Sequence, residues 1–282
     1  MRWVAPPLRP ARPGWGALPS PTVPELPEVE MYRRLAERAL QRRIDGVAAP
    51  DPWFLKRGLD ASALEAALLD ERFTAARRIG KLLLLDVSGG EVLGLRFGMT
   101  GRLLVDGRAG VDKLVYGSER DVAGWDRFGV HFADGGDLRL RDPRRLGGVL
   151  LDPDEARLGT DVLDLTPGRL RRALDGSAVA LKARLMDQER VAGVGNLVAD
   201  ETLWRAGLDP RRPAGSLSPA ELRRLTGHLR TAVADLIERG GSHAGDLGPA
   251  RAPGGVCPRD GTPLARTRVG GRTTWWCPAH QR

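Results

Sequence analysis

At 282 residues and 41% hydrophobic content, the chain can build two modest domains with cores of their own. It holds no apolar run approaching the ~18 residues that a membrane span needs. A net charge of +8 suits a polyanionic partner such as nucleic acid, although charge by itself is a weak guide. The only two cysteines lie in the last 26 residues, which excludes a disulfide scaffold and points to one local site in a reducing cytoplasm or nucleoid.

Residues 1–23 contain six prolines, three arginines and no acid. Each proline removes an N–H donor and clashes with a preceding helical turn, so this stretch is not expected to be helical. It has neither the apolar stretch of a secretory signal nor an amphipathic transit helix. Two readings are open: a segment ahead of the true start, or a disordered arm that touches DNA through its arginines.

From 24 to 150 the pattern predicts a β-rich domain with flanking helices. A helix opens it, with Pro27 at the first helical position and Glu28 and Glu30 in the first turn. Strands are expected at 81–87, 91–97, 102–105, 129–133 and 137–141, and Asp134-Gly135-Gly136 signals a hairpin. Residues 151–245 read as helical, with apolar spacing over 181–188, 196–206 and 219–239. Ser218-Pro219-Ala220-Glu221 is a helix start. Residues 246–282 form a short hairpin bracketed by cysteines, joined through a flexible connection between Gly240-Gly241 and Gly254-Gly255.

Five motifs occur in order: Pro24-Glu25-Leu26-Pro27-Glu28-Val29-Glu30, the lysine of Arg77-Arg78-Ile79-Gly80-Lys81, Gly98-Met99-Thr100-Gly101, Asp142-Pro143-Arg144-Arg145-Leu146-Gly147 and Gly193-Val194-Gly195-Asn196-Leu197. Together they resemble the formamidopyrimidine-DNA glycosylase and endonuclease VIII family over nearly all of 24–282. The resemblance implies an α+β multidomain fold: an N-terminal β-sandwich with flanking helices, a helix–two-turns–helix domain and a C-terminal zinc-finger hairpin. It also implies a monomeric repair enzyme acting on damaged double-stranded DNA, with no membrane role.

In that family the mature chain begins with the proline, whose free amine is the nucleophile. Pro24 is internal here, so the expectation is that residues 1–23 are removed or never made. A valine codon at position 23 could initiate with methionine, whose removal would free Pro24. A terminal amine, with pKa near 8 against about 10.4 for lysine, offers roughly several hundred times more neutral amine at pH 7. Attack on C1′ would give an iminium, followed by β- and δ-elimination. Were Pro24 to stay internal, a non-catalytic damaged-DNA binder would be the alternative; a general nucleic-acid binder using only the helical element and finger is another.

The resemblance assigns Glu25 as general acid, Glu28 to the damaged nucleotide and Lys81 to the phosphate near the elimination chemistry. Met99 would fill the gap left by the extruded base, Arg144 would pair with the orphaned base and Leu146 would wedge between bases. Asn196 would donate to phosphate or cap a helix, and Arg272 would act catalytically from the finger tip, at the phosphates and the later elimination step. Three departures matter. Arg96 stands where the family often has histidine, and Leu146 where it often has phenylalanine. The four-cysteine zinc frame reads Cys257, Asp260, Cys277 and His280, a set that can still bind one Zn²⁺. The short segment between Gly241 and Cys257 lacks room for a capping loop, so formamidopyrimidines, oxidised pyrimidines or further-oxidised purines are expected substrates rather than 8-oxoguanine.

Overall fold

The computed structural model describes residues 24–111, 114 and 122–282. The expectations for residues 1–23 lie outside the described residues. The first segment comprises α1 (Leu26–Ala36), β1 (Ile44–Ala48), α2 (Ala61–Leu68), β2 (Phe73–Ile79), β3 (Leu82–Val87), β4 (Val92–Arg96), β5 (Arg102–Val105), β6 (Arg108–Ala109), β7 (Asp126–Phe132), β8 (Asp137–Arg141) and β9 (Gly148–Leu151). Two antiparallel sheets, ordered β2-β3-β4-β9 and β1-β7-β8-β5-β6, face one another. Leu83, Leu85, Leu93 and Leu95 of one sheet share a core with Leu103, Phe128, Val130 and Leu140 of the other. Each such buried side chain stabilises the sandwich by about 1.5–3 kcal/mol. β3 is apolar on both faces because Leu82 and Leu84 also pack outward, against Leu150 and Leu158.

The second segment holds β10 (Thr160–Asp161), α3 (Pro167–Leu174), α4 (Leu181–Leu185), β11 (Val191–Ala192), α5 (Asn196–Ala206) and α6 (Pro219–Glu238). α6 starts at a capping box between Ser218 and Glu221. The third holds the hairpin β12 (Ala265–Val269) and β13 (Arg272–Trp276), whose turn is Gly270-Gly271 at φ 55° and 74°.

α1 joins the units. Val29, Tyr32 and Ala36 belong to the sandwich core, whereas Leu26 belongs to the helical core. Arg78 of β2 reinforces the joint by bonding Glu30 of α1 (3.1 Å) and Asp161 of β10 (2.5 Å).

The expected strands are present, with ends shifted by a few residues. Strand 81–87 starts instead at Leu82, because Gly80 (φ 56°) and Lys81 form the turn from β2. α1 starts at Leu26, so Pro27 is its second residue rather than its first. The connection after α6 is not a loose linker. It folds into 3-10 turns at Ser242–Ala244 and Gly248–Ala250, fastened by backbone N–H groups of Asp246 and Leu247 donating to buried Glu201 (3.1 and 2.9 Å).

Candidate active site

A cavity of about 640 Å³ opens where the three segments meet. Pro24, Lys81, Arg96, Met99, Leu146, Asn196 and Arg272 all line it. Seven of the residues expected from sequence therefore share one cavity. Glu25 and Glu28 lie in the buried layer behind Pro24, and Arg144 is exposed outside the lining.

Glu25 is 1% exposed, and its carboxylate accepts the N–H groups of Leu197 (2.8 Å) and Val198 (3.0 Å) at the start of α5. The helix terminus offers unpaired donors and a positive partial charge, which together suit an anion. Gly195 allows this approach: a Cβ there would fall 2.0 Å from the Glu25 carboxyl carbon. Of the two roles the sequence offers Asn196, donor to phosphate or helix cap, the cap is not the one it takes here. Instead Gly195 is the cap residue, Asn196 is the first helical residue, and Glu25 supplies the acceptor from 172 positions away. The Asn196 side-chain oxygen is buried without a hydrogen-bond partner among the described residues.

Glu28 accepts from the Ser242 N–H (2.7 Å) and hydroxyl (2.6 Å) with one oxygen, and from the Glu25 N–H (2.9 Å) with the other. Burial pushes its pKa up to about 7, the bonds from Ser242 opposing and the Glu25 charge adding to the rise. Lys81 sits on a turn pressed against Ala192-Gly193, and Asp161 accepts the Gly80 N–H (2.7 Å). Desolvation lowers the Lys81 pKa; the carboxylates of Glu25 and Glu28 oppose that shift and Arg272 adds to it.

Two loops carry the apolar groups. Gly98 (φ 56°) brings the Met99 turn against the backbone of Leu146 and Gly147, where no Cβ would fit. Tyr32 packs against Phe97 with the rings tilted by 39° (4.5 Å between centroids) and donates to the Gly101 carbonyl (3.1 Å). Asp142 is fully buried and accepts N–H groups from Arg144 (3.2 Å), Leu146 (2.8 Å) and Gly147 (2.8 Å), together with the Thr100 hydroxyl. Leu146 is left 51% exposed on this rigid loop, and the Arg144 side chain has no partner among the described residues.

Gln188 was missed by sequence reasoning. It also lines the cavity, accepts from the Gly193 N–H (3.0 Å) and donates to the carbonyls of Met186 (2.8 Å) and Val194 (2.9 Å), fixing both turns. The glycine-hinged turn that follows was the available signal, since its exposed N–H groups need an acceptor.

Arg272 begins β13 at the cavity edge. Behind it, buried Lys182 pairs with Asp200 (2.7 Å) and donates to the Thr273 carbonyl (3.1 Å) and Thr274 hydroxyl (2.8 Å). At the far end of the hairpin, Cys257, Asp260, Cys277 and His280 bring ligand atoms within 4.8 Å of one another. The Trp204 indole N–H donates to the Cys257 sulfur (3.3 Å). His280 Nε2 meets the Trp204 carbonyl (3.2 Å), which leaves Nδ1 on the cluster side, 2.9 Å from Asp260. A backbone N–H from Thr262 and the His280 ring hold the Asp260 carboxyl well below the usual range. Two sulfurs, a carboxylate and a ring nitrogen at this spacing make a donor set compatible with a metal ion.

The family model described as formamidopyrimidine-DNA glycosylase N-terminal domain matches residues 23–149, and that described as formamidopyrimidine-DNA glycosylase H2TH domain matches 158–246. The chain is 36% identical to the formamidopyrimidine-DNA glycosylase of Halorhodospira halophila and 36% identical to that of Cereibacter sphaeroides, each match covering 92% of this chain and 100% of the relative. It is also similar to the solved structure of Lactococcus lactis formamidopyrimidine-DNA glycosylase bound non-covalently to DNA containing an abasic site. There the identity is 25% and the TM-score 0.77, covering 92% of this chain and 99% of that one. The chain belongs to the formamidopyrimidine-DNA glycosylase family.

Proposed function

We propose that this protein is a base-excision-repair DNA glycosylase that also cleaves the resulting abasic site. The observation that carries the reading is the convergence of Pro24, Lys81 and Arg272 with the apolar Met99 and Leu146 on one cavity. A nucleophile, two cations for phosphate and two groups able to fill a vacated base stack are what excision of an extruded nucleotide requires.

The chemistry demands a free secondary amine, so the bond between Val23 and Pro24 must be absent in the active form. The Pro24 nitrogen then bonds to C1′ while the glycosidic bond breaks and the base leaves with a proton. Glu25, immobilised behind Pro24, is assigned to this proton transfer. Ring opening gives the iminium, loss of a C2′ proton follows, and the 3′ phosphate departs; a second elimination releases the 5′ phosphate. Arg96, Asn196, Lys81 and Arg272 grip the backbone, while Met99, Leu146 and Arg144 occupy the space and partner left by the extruded base. Glu28, bonded to Ser242 and outside the cavity lining, is assigned to positioning that segment beside the damaged nucleotide.

The short segment between Gly241 and Cys257, whose backbone N–H groups bond Glu28 and Glu201, leaves little chain for a capping loop, so formamidopyrimidines, oxidised pyrimidines or further-oxidised purines are the proposed substrates rather than 8-oxoguanine. Cys257, Asp260, Cys277 and His280 would hold one structural Zn²⁺, whose bonds would fasten the hairpin that presents Arg272. Purified protein should then carry about one equivalent of zinc, lost on Cys277→Ala substitution and read by metal analysis. The protein is expected to work as a monomer in the cytoplasm or at the nucleoid; among the described residues no helix is long and apolar enough to cross a membrane.

Borohydride trapping on a duplex with an abasic site tests the mechanism. The chain starting at Pro24 should form a covalent adduct that maps to Pro24, and the 282-residue form should not. No adduct from either form would leave the second reading, a non-catalytic binder of damaged DNA.

A further inference from the structure

The connection between β1 and α2 carries side chains that the cavity does not use. Asp51 caps a 3-10 turn at Pro52–Phe54, accepting the Trp53 N–H (3.2 Å). Phe54 is fully buried, yet Trp53 is 69% exposed, the most exposed large apolar side chain among the described residues. Packing does not explain an indole left in water. Lys56 donates to the Trp53 carbonyl (2.7 Å), and its ammonium lies 5.2 Å from the indole centroid. Arg57 follows at φ 59°, and its side chain has no partner among the described residues.

This turn is fastened to the Leu146 loop. Asp51 accepts two bonds from the Arg145 guanidinium, each 2.6 Å. The Phe54 ring edge would meet a Cβ on Gly147 at 3.0 Å, and the Lys56 N–H donates to the Val149 carbonyl (3.0 Å). Trp53 and Leu146 are thus exposed on two segments held together by an ion pair and a backbone bond. Arg57 lines a second cavity of about 400 Å³ with Arg157, Lys81 and Arg96, bordered by Asp154 and Glu189. Lys81, Arg96 and Gln188 also line the first cavity, so one groove runs from Pro24 past these cations to Arg57.

We propose that Trp53, Lys56 and Arg57 form a second DNA contact that lengthens the footprint beyond the extruded nucleotide. The indole packs on a base or deoxyribose flanking the lesion, and the two cations hold phosphates of the same stretch. An exposed aromatic beside cations, continuous with a cationic groove, is the composition that binds nucleic-acid strands by stacking and charge together. The proposal rests on the DNA-repair reading above.

The test uses the chain starting at Pro24 and duplexes bearing a stable abasic-site analogue, one ending close to the lesion and one extending well past it. Fluorescence anisotropy gives Kd against salt. Trp53→Ala should weaken binding to the long duplex about 5–10-fold and to the short one less, and Trp53→Phe should restore most of the loss. Lys56→Ala with Arg57→Ala should lower the slope of log K against log salt by about 1.8 on the long duplex. Thermal melting confirms that each variant is folded; Trp53 and Arg57 are exposed and Lys56 is half-buried. Equal Kd and slope for variants and wild type on both duplexes, with wild type still trapped by borohydride, would overturn this contact and leave the glycosylase reading standing. A wild type that neither traps nor prefers the abasic duplex would overturn that reading instead, whatever Trp53 does.

Discussion

Glu28 shows how far one carboxyl can depart from its usual behaviour when a fold needs it inside. Desolvation raises its pKa from 4.5 to about 7, and Ser242 and the Glu25 N–H recover only part of that cost. The folded state therefore holds this proton more tightly than the unfolded chain does. The contribution to stability is full below pH 4.5 and is lost as pH rises through about 7, a difference of about 3 kcal/mol. Urea unfolding followed from pH 4.5 to 8 should show that decline in wild type. Glu28→Gln cannot titrate at this position and should flatten the slope, whatever it does to absolute stability. An unchanged slope would mean that another group carries the pH dependence.

At the scale of elements, α5 and the hairpin are joined by charge inside the protein. Asp200 is fully buried, pairs with Lys182 (2.7 Å) and Arg251 (2.8 Å), and accepts the Trp275 N–H (3.3 Å). Desolvation lowers the Lys182 pKa and the Asp200 charge opposes it, so that carboxylate is what keeps a buried ammonium tolerable. Asp200→Asn leaves two cations facing a neutral amide, a change that costs about 3–5 kcal/mol. The midpoint of urea unfolding should fall accordingly. Because Lys182 also holds Thr273 and Thr274, Arg272 should lose its fixed place, and DNA affinity should drop in the same variant even where it remains folded. Lys182→Met, which removes one cation of the buried network, should be less damaging than Asp200→Asn.

At the scale of the molecule, the parts legible in the sequence were those whose signal is local. The strand at 102–105, the helix at 196–206 and the Asp134-Gly135-Gly136 hairpin need only neighbouring residues to be recognised. β2 was not legible, because Phe73–Ile79 carries two arginines whose partners, Asp86, Glu155, Glu30 and Asp161, are remote in sequence or lie on other strands. The same holds in the cavity: residues inside motifs were found, whereas Gln188 and the Glu25 bonds to α5 depend on contacts across the chain. The architecture also separates two kinds of DNA contact that one binding series can resolve. Arg96 and Arg272 are exposed cations flanking the cavity, while Met99 and Leu146 are apolar groups on rigid glycine-flanked loops. Each phosphate neutralised releases counterions, so Arg272→Ala should lower the salt slope by about 0.9 and weaken damaged and intact duplexes alike. Leu146→Ala should leave the slope unchanged and narrow the preference for an abasic duplex over an intact one, because a lost wedge raises the cost of holding a nucleotide out of the stack. If Leu146→Ala changed the slope, or if Arg272→Ala erased the preference while keeping the slope, the roles assigned to charge and to apolar filling would have to be exchanged.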